Sequence, residues 1–186
     1  MKMMVPSDEY PEKYWLKYDH EKNPSHLEFI LTKALELDTD FVAFSIQKKI
    51  SLAAFKKFDF LYSDGPDLVS GRVSRILRDN CPDDVQLVPA IIEVNDQVIT
   101  DYAVLNVLKF EEAFDLSSCV YGPLIKSIPD GPKRFRKIVL QDKVSDAQFF
   151  RASENRESIV LSNSIAQLFK DASVKGVELV SVLEGL

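Results

Sequence analysis

Apolar positions come in short blocks whose spacing switches between two residues and three to four. Val73, Ile76 and Leu77 recur at helical spacing behind Ser70, whose hydroxyl can accept a bond from the free N–H groups of a first turn, and Asn80-Cys81-Pro82 ends the pattern. A second stripe, Ile165, Leu168, Phe169 and Ala172, starts behind Ser162 and ends at Lys175-Gly176. Between them Val85 to Val94 reads as a strand, Asn95-Asp96 as a tight turn and Val98 to Thr100 as the returning strand of a hairpin. Asp101 to Leu108 is apolar enough for a strand buried on both faces, and Pro89 places the neighbouring strand near an edge or at a bulge. Further strands are expected at Lys137 to Gln141, Gln148 to Ala152, Ser158 to Leu161 and Val177 to Leu183. Phe55 to Tyr62 alternates around Phe58, Phe60 and Tyr62 and runs into the turn Ser63-Asp64-Gly65-Pro66. The pattern predicts an α+β fold, with a mixed, largely antiparallel sheet and two serine-capped helices.

The two helices sit in segments that echo each other. LVSGRVSRILRDNCPDDVQLVP aligns without gaps onto VLSNSIAQLFKDASVKGVELVS at an offset of 92, with five identities in 22 positions, among them Ser70 with Ser162 and Asp79 with Asp171. The expectation is a pseudo-repeated strand-helix-strand unit whose two copies share one core. Residues 1–55 read as an amino-terminal arm with helix and strand elements packed on a body of residues 56–186, in a single domain overall. In the arm, Tyr14 to Tyr18 suggests one strand. Leu27 to Leu37 has helical spacing but could also be a loop flanking the run Phe41 to Ile46. Residues 122–137, with three prolines and two glycines ahead of Lys133-Arg134-Phe135-Arg136-Lys137, read as a linker between two lobes.

With 186 residues, 46% of them hydrophobic, the chain can bury a sizeable core. No apolar run approaches the ~20 residues of a membrane span, and the start MKMMVPSDEYPEKYW has no secretory apolar stretch, so the expected location is cytoplasmic. Cys81 and Cys119 read as reduced packing residues. The net charge of −6 is unevenly spread: residues 61–130 carry −7 and the flanking segments −1 and +2. That balance argues against nucleic acid as a partner. An acidic field of this kind speeds encounter with a basic protein surface, and Asp83, Asp84, Asp96, Asp101, Glu111 and Glu112 are the candidate contact residues. The basic run at 133–137 balances that field or touches an acidic patch of a partner.

The order FDFLYSDGPDLVSGRVSRIL, VQLVPAII, DYAVLNVLKFEEAFD, QFFRASE, IVLSNSIAQLF and KGVEL resembles a family of bacterial immunity proteins, the eleventh immunity type of polymorphic toxin systems, earlier an uncharacterised domain family. The resemblance covers residues 56–183, and its most family-like pieces are Leu68 to Ser70, Tyr102 to Leu108, the Phe150-Arg151 pair and Ser162. Each piece has a structural role open to it, with Arg151 closing a buried polar contact. The resemblance implies a cytosolic protein that binds a cognate toxin and blocks it by occlusion, without cofactor or catalysis. Many toxins of such systems attack nucleic acids through basic surfaces, which suits an acidic inhibitor.

Two alternatives stand beside this reading, a small enzyme and a self-associating scaffold. His20 and His26 are the only histidines, and with Asp8, Glu9, Asp19 and Glu21 nearby they could be mistaken for a metal cluster, although solvated residues are the expectation. No GxGxxG, GxxxxGK or GxSxG motif occurs, and the adjacent carboxylates of Asp83-Asp84 and Glu111-Glu112 point apart in any regular element. A pocket with His20 or His26 beside a cysteine or carboxylate would favour the enzyme.

Overall fold

The computed structural model describes residues 1–36, 40–143 and 145–185. Three sheets enclose two apolar cores. The middle sheet has five strands in the order β14-β1-β13-β12-β9, formed by β1 (Lys2–Pro6), β9 (Phe110–Glu111), β12 (Phe149–Ala152), β13 (Asn155–Leu161) and β14 (Val177–Val180). Successive side chains leave a strand on opposite faces, so Phe149, Ile159 and Leu161 enter the larger core while Met3, Phe150 and Val160 enter the smaller one. Burial on both faces is the reason these strands read as continuous apolar runs.

A seven-stranded sheet closes the larger core. Its order is β2-β3-β6-β8-β5-β4, from β2 (Lys17–Tyr18), β3 (Val42–Ile46), β4 (Phe60–Leu61), β5 (Leu68–Ser70), β6 (Val85–Val94) and β8 (Tyr102–Val107), with β7 (Gln97–Ile99) pairing β6. The short α1 (Leu52–Phe55), α2 (Gly71–Asn80) and α3 (Asn163–Asp171) contribute Phe55, Val73, Leu77, Ile165 and Phe169 to this core. The smaller core is covered by β10 (Val120–Pro123), β11 (Lys133–Val139) and β15 (Val182–Glu184). β3 with β6 and β9 with β12 run parallel, while β6 with β8 and β12 with β13 are antiparallel, so the fold is mixed α+β. No helix among the described residues is long and apolar enough to cross a membrane.

Local chemistry explains several boundaries. The Ser70 hydroxyl accepts from Val73 N at 3.4 Å and that of Ser162 from Ile165 N at 3.3 Å, both residues having φ −64° and ψ 161°. Asn95 and Asp96 have φ of 50° and 61°, the pair of left-handed residues a two-residue hairpin turn needs between β6 and β7. Pro89, opposite Ala103 of β8, comes one residue before β6 begins to pair with β3, a limited disturbance of the ladder. Gly176, with φ +97°, brings the turn after α3 so close to β4 that a Cβ there would lie 2.6 Å from the Phe60 carbonyl oxygen.

Elsewhere tertiary contacts override the sequence pattern. His26–Ile30 forms a 3₁₀ turn, Thr32 follows with φ 52°, and the chain beyond is held by side chains instead of helix bonds: Gln86 pairs with the Leu35 N–H and carbonyl, and Asn106 Nδ2 donates to Lys33 O. Leu37 lies outside the described residues. Tyr14 to Tyr18 divides into a 3₁₀ turn at Glu12–Tyr14 and the strand β2, and Phe55 to Tyr62 into the end of α1 and the strand β4. The carboxy-terminal run splits at Ser181, whose carbonyl accepts from Leu140 N and whose hydroxyl accepts from Lys2 Nζ, so that β14 and β15 join different sheets. Residues 122–137 are no linker: β10 and β11 pair antiparallel as a ribbon at the edge of the three-stranded sheet, the basic run being strand and Phe135 turning inward. The first 55 residues do more than lie on the body, since β1 is an interior strand between β13 and β14, and Leu16, Phe29, Val42 and Phe44 are buried.

Candidate functional site

The acidic residues singled out in the sequence sit on separate connections. Asp83 is exposed in the turn after α2, Asp96 at the tip of the β6–β7 hairpin, Asp101 before β8 in an exposed pair with Lys56 at 3.2 Å, and Glu111 and Glu112 in and after β9, the first half-buried. Asp84 is not on the surface. It is buried, and its Oδ2 accepts from Gln148 N at 2.7 Å and Phe149 N at 3.1 Å, tying the turn after α2 to the start of β12. His20 and His26 stack edge to face at 5.3 Å. Among the described residues no group of three or more His, Cys, Asp or Glu is arranged to hold a metal.

A cleft of about 490 Å³ opens where the amino-terminal segment meets β12 and β13. Trp15, Leu27, Phe29, Ile30 and Ile159 give it apolar walls, and Tyr62, Asp67, Arg151, His26 and Glu157 give it polar ones. Arg151 comes from β12, where its backbone N–H donates to Lys109 O and its residue faces Ile159 of β13. Arg151 is 7% exposed, Nη1 donates to Arg156 O at 2.9 Å, and Nε is buried with no partner. Burial lowers its pKa, opposed by the charges of Asp67 and Glu157. The Tyr62 hydroxyl is likewise buried without a partner, and its ring packs 5.0 Å from that of Tyr10 and 5.7 Å from that of Trp15.

Asp67 is delivered by the loop from β4 to β5. Ser63 shapes this loop by donating its hydroxyl to Pro66 O and accepting from Gly65 N, and Asp67 O takes the Leu105 N–H. Asp67 and Arg151 make no direct ion pair. Burial pushes the Asp67 carboxyl up to about 7 against the lowering effects of the Arg151 charge and the Ser63 N–H. A carboxyl whose folded-state pKa lies above its unfolded value of about 3.9 contributes stability that is complete below that value and lost as the pH rises through about 7. Asp67→Asn, which stays neutral, should therefore gain on the wild type between about pH 4 and 7 by up to about 1.4 kcal/mol per pH unit. Urea midpoints at several pH values measure the difference, and parallel profiles for the two proteins would contradict the assignment.

Among the described residues, five exposed large apolar side chains fall on β10 and the loop from β10 to β11. Val120, Tyr121, Leu124, Ile125 and Ile128 are each 40–58% exposed. Lys133 Nζ lies 4.7 Å over the Tyr121 ring, Arg134 and Arg136 are exposed beside it, and the tip is shaped by bonds from Leu124 N to Pro132 O and Ile128 N to Ile125 O. A shallow groove holding Leu124, Arg134 and Phe135 shares Ile30 and Glu157 with the cleft, so ribbon and cleft form one continuous face. The sequence marked Arg151 and the basic run but neither the cleft nor the apolar tip. The tip residues were masked by the turn-like prolines and glycines around them, and nothing in the local sequence joins Tyr62 and Asp67 to Arg151. Compared with known proteins, the chain matches no family model, and no curated sequence matches it.

Proposed function

We propose that this chain is an immunity protein that binds a cognate toxin and blocks it by occlusion, docking through the β10–β11 ribbon. The observation that carries the reading is the apolar tip of Leu124, Ile125 and Ile128 flanked by Lys133, Arg134 and Arg136. Exposed apolar surface rimmed by charge is the usual composition of a protein interface, and the basic rim suits an acidic edge on the partner. The sequence resemblance to bacterial immunity proteins supports the same job. Asp83, Asp96, Asp101, Glu111 and Glu112 then act at longer range, steering a toxin with a basic active-site surface. Asp84 takes no part in that contact because its carboxylate is spent inside the fold. The cytoplasm is the place where such an inhibitor meets its target.

The finer architecture fits a rigid presenting frame. β5 and β6, joined by α2, flank β8, while β13 and β14, joined by α3, flank β1, so each strand-helix-strand unit takes its central strand from elsewhere in the chain. The turn after each helix also braces the strand that precedes the other unit. Asp59 N and Phe60 N donate to Lys175 O in the turn after α3, and Gln148 N and Phe149 N donate to Asp84 in the turn after α2. This reciprocity supports one serine-capped unit used twice.

Coexpression tests the function. The toxin encoded beside this protein should be lethal alone and harmless with it, and survival should require the ribbon. Reversing Asp83, Asp96 and Glu112 to lysine should slow association about tenfold and flatten its salt dependence, leaving dissociation nearly unchanged. An unchanged association rate would remove the steering role.

An enzyme is the second reading, favoured by one observation: His26, Asp67 and Glu157 share the cleft with Arg151. No cysteine lines it, and burial pushes the Cys81 thiol up to about 12, leaving little thiolate near neutral pH. Toxin protection that survives Asp67→Asn would favour the binding protein, and turnover of a small molecule that disappears with the same change would favour the enzyme.

A further inference from the structure

Two residues that line the cleft carry buried donors that the fold leaves unused. A buried polar group without a partner costs about 1–3 kcal/mol, and native proteins keep few of them. Here the Tyr62 hydroxyl and Arg151 Nε are both unpaired and belong to residues lining the same cavity. Arg151 spends Nη1 on the Arg156 carbonyl. What remains is the Nε–H and Nη2 edge, the side of a guanidinium that grips two oxygens of one anion.

We infer that this cleft binds a carboxylate carried on an apolar stem, the Nε and Nη2 edge of Arg151 holding the two oxygens and the Tyr62 hydroxyl supplying a further donor. The stem packs among Trp15, Leu27, Phe29 and Ile159, and a volume of about 490 Å³ holds a group the size of an aryl acid or the last residues of a peptide. A single guanidinium with Asp67 and Glu157 on the same walls suits a monoanion better than a phosphate dianion. Burial of Asp67 keeps its negative charge only partly present near neutral pH, so it does not cancel the guanidinium. The carboxylate can come from a free organic acid or from the end of a polypeptide, and both offer the same group to Arg151.

The protein has one tryptophan, Trp15, and it lines the cleft, so its fluorescence reports occupancy of the full chain directly. Titration with 3-phenylpropanoate should give a saturable change, and 3-phenylpropanamide, which has the same stem and no charge, should give none. A short apolar peptide with a free carboxyl terminus, compared with its amidated form, distinguishes the peptide source from the free acid. Saturation by either acid supports the site. Tyr62→Phe and Arg151→Lys should each weaken binding about tenfold. If Arg151→Lys fails to fold, Tyr62→Phe and the acid–amide comparison decide. Equal binding of acid and amide, no saturation with either acid, or wild-type affinity in Tyr62→Phe would overturn the inference. Leu124→Asp should leave the titration unchanged, so the site and the docking ribbon stand or fall separately.

Discussion

Asp59→Ala should cost about 3 kcal/mol of folding stability and lower Tm by about 6–12 °C. Asp59 is 5% exposed and lies between the two strand-helix-strand units. Its Oδ1 accepts from the Ser70 hydroxyl at 2.8 Å and from Arg72 Nε at 3.1 Å, and its Oδ2 accepts from Lys175 N at 2.9 Å and from Arg72 Nη2. Arg72 in turn donates to the carbonyls of Ala172 and Ser173, at the end of α3. Truncating Asp59 leaves the Ser70 hydroxyl and the Lys175 N–H without their acceptor and detaches Arg72 from the carboxylate that aims it. Removing one member of a buried charged network is far costlier than removing a surface pair. Asp101→Ala, which breaks the exposed Lys56 pair, should cost no more than about 1 kcal/mol. Thermal and urea unfolding of both variants measure the contrast. Equal, small losses would mean that the two units are not joined through Asp59.

On the proposed immunity role, the double variant Leu124→Asp, Ile128→Asp should lose toxin binding by about a hundredfold or more while keeping wild-type stability. Both side chains are at least half exposed on the ribbon tip, so the substitutions remove nothing from either core. In a complex they would bury two unpaired carboxylates at the centre of an interface, where most binding energy is concentrated. The loss should appear mainly as faster dissociation, in contrast to the slower association expected when the acidic residues are reversed. Toxin protection in cells and a surface-binding measurement read the effect. Full protection by this double variant would move the interface elsewhere.

What the sequence reveals is what short stretches decide. Ser70 and Ser162 stand ahead of apolar stripes, and cap chemistry acts within one turn, so α2 and α3 are readable along with β6 and the Asn95-Asp96 turn. Residues 27–36 have helical spacing but exchange helix bonds for contacts with Gln86 and Asn106, which are distant in sequence. Val182 and Leu183 continue an apolar run, yet the bonds at Ser181 transfer them to another sheet. Arg151 is conspicuous within Phe149-Phe150-Arg151-Ala152 because a charge among buried strand residues needs a use. Its cleft is not readable, since Tyr62, Asp67 and Trp15 reach it only through the pairing of β4 with β5 and the bridge from Leu16 to Ser63. Asp84 shows the converse: an acidic sequence context suggests surface charge, and the fold turns the side chain inward to cap the start of β12.

Amide hydrogen exchange of the protein, free and with the proposed toxin partner, tests the proposed docking surface most directly. Slowed exchange concentrated in residues 120–136, with α2 and β8 unchanged, is the expected result. A complex that protects only the acidic turns around Asp83 and Asp96, or no stable complex at all, would contradict it.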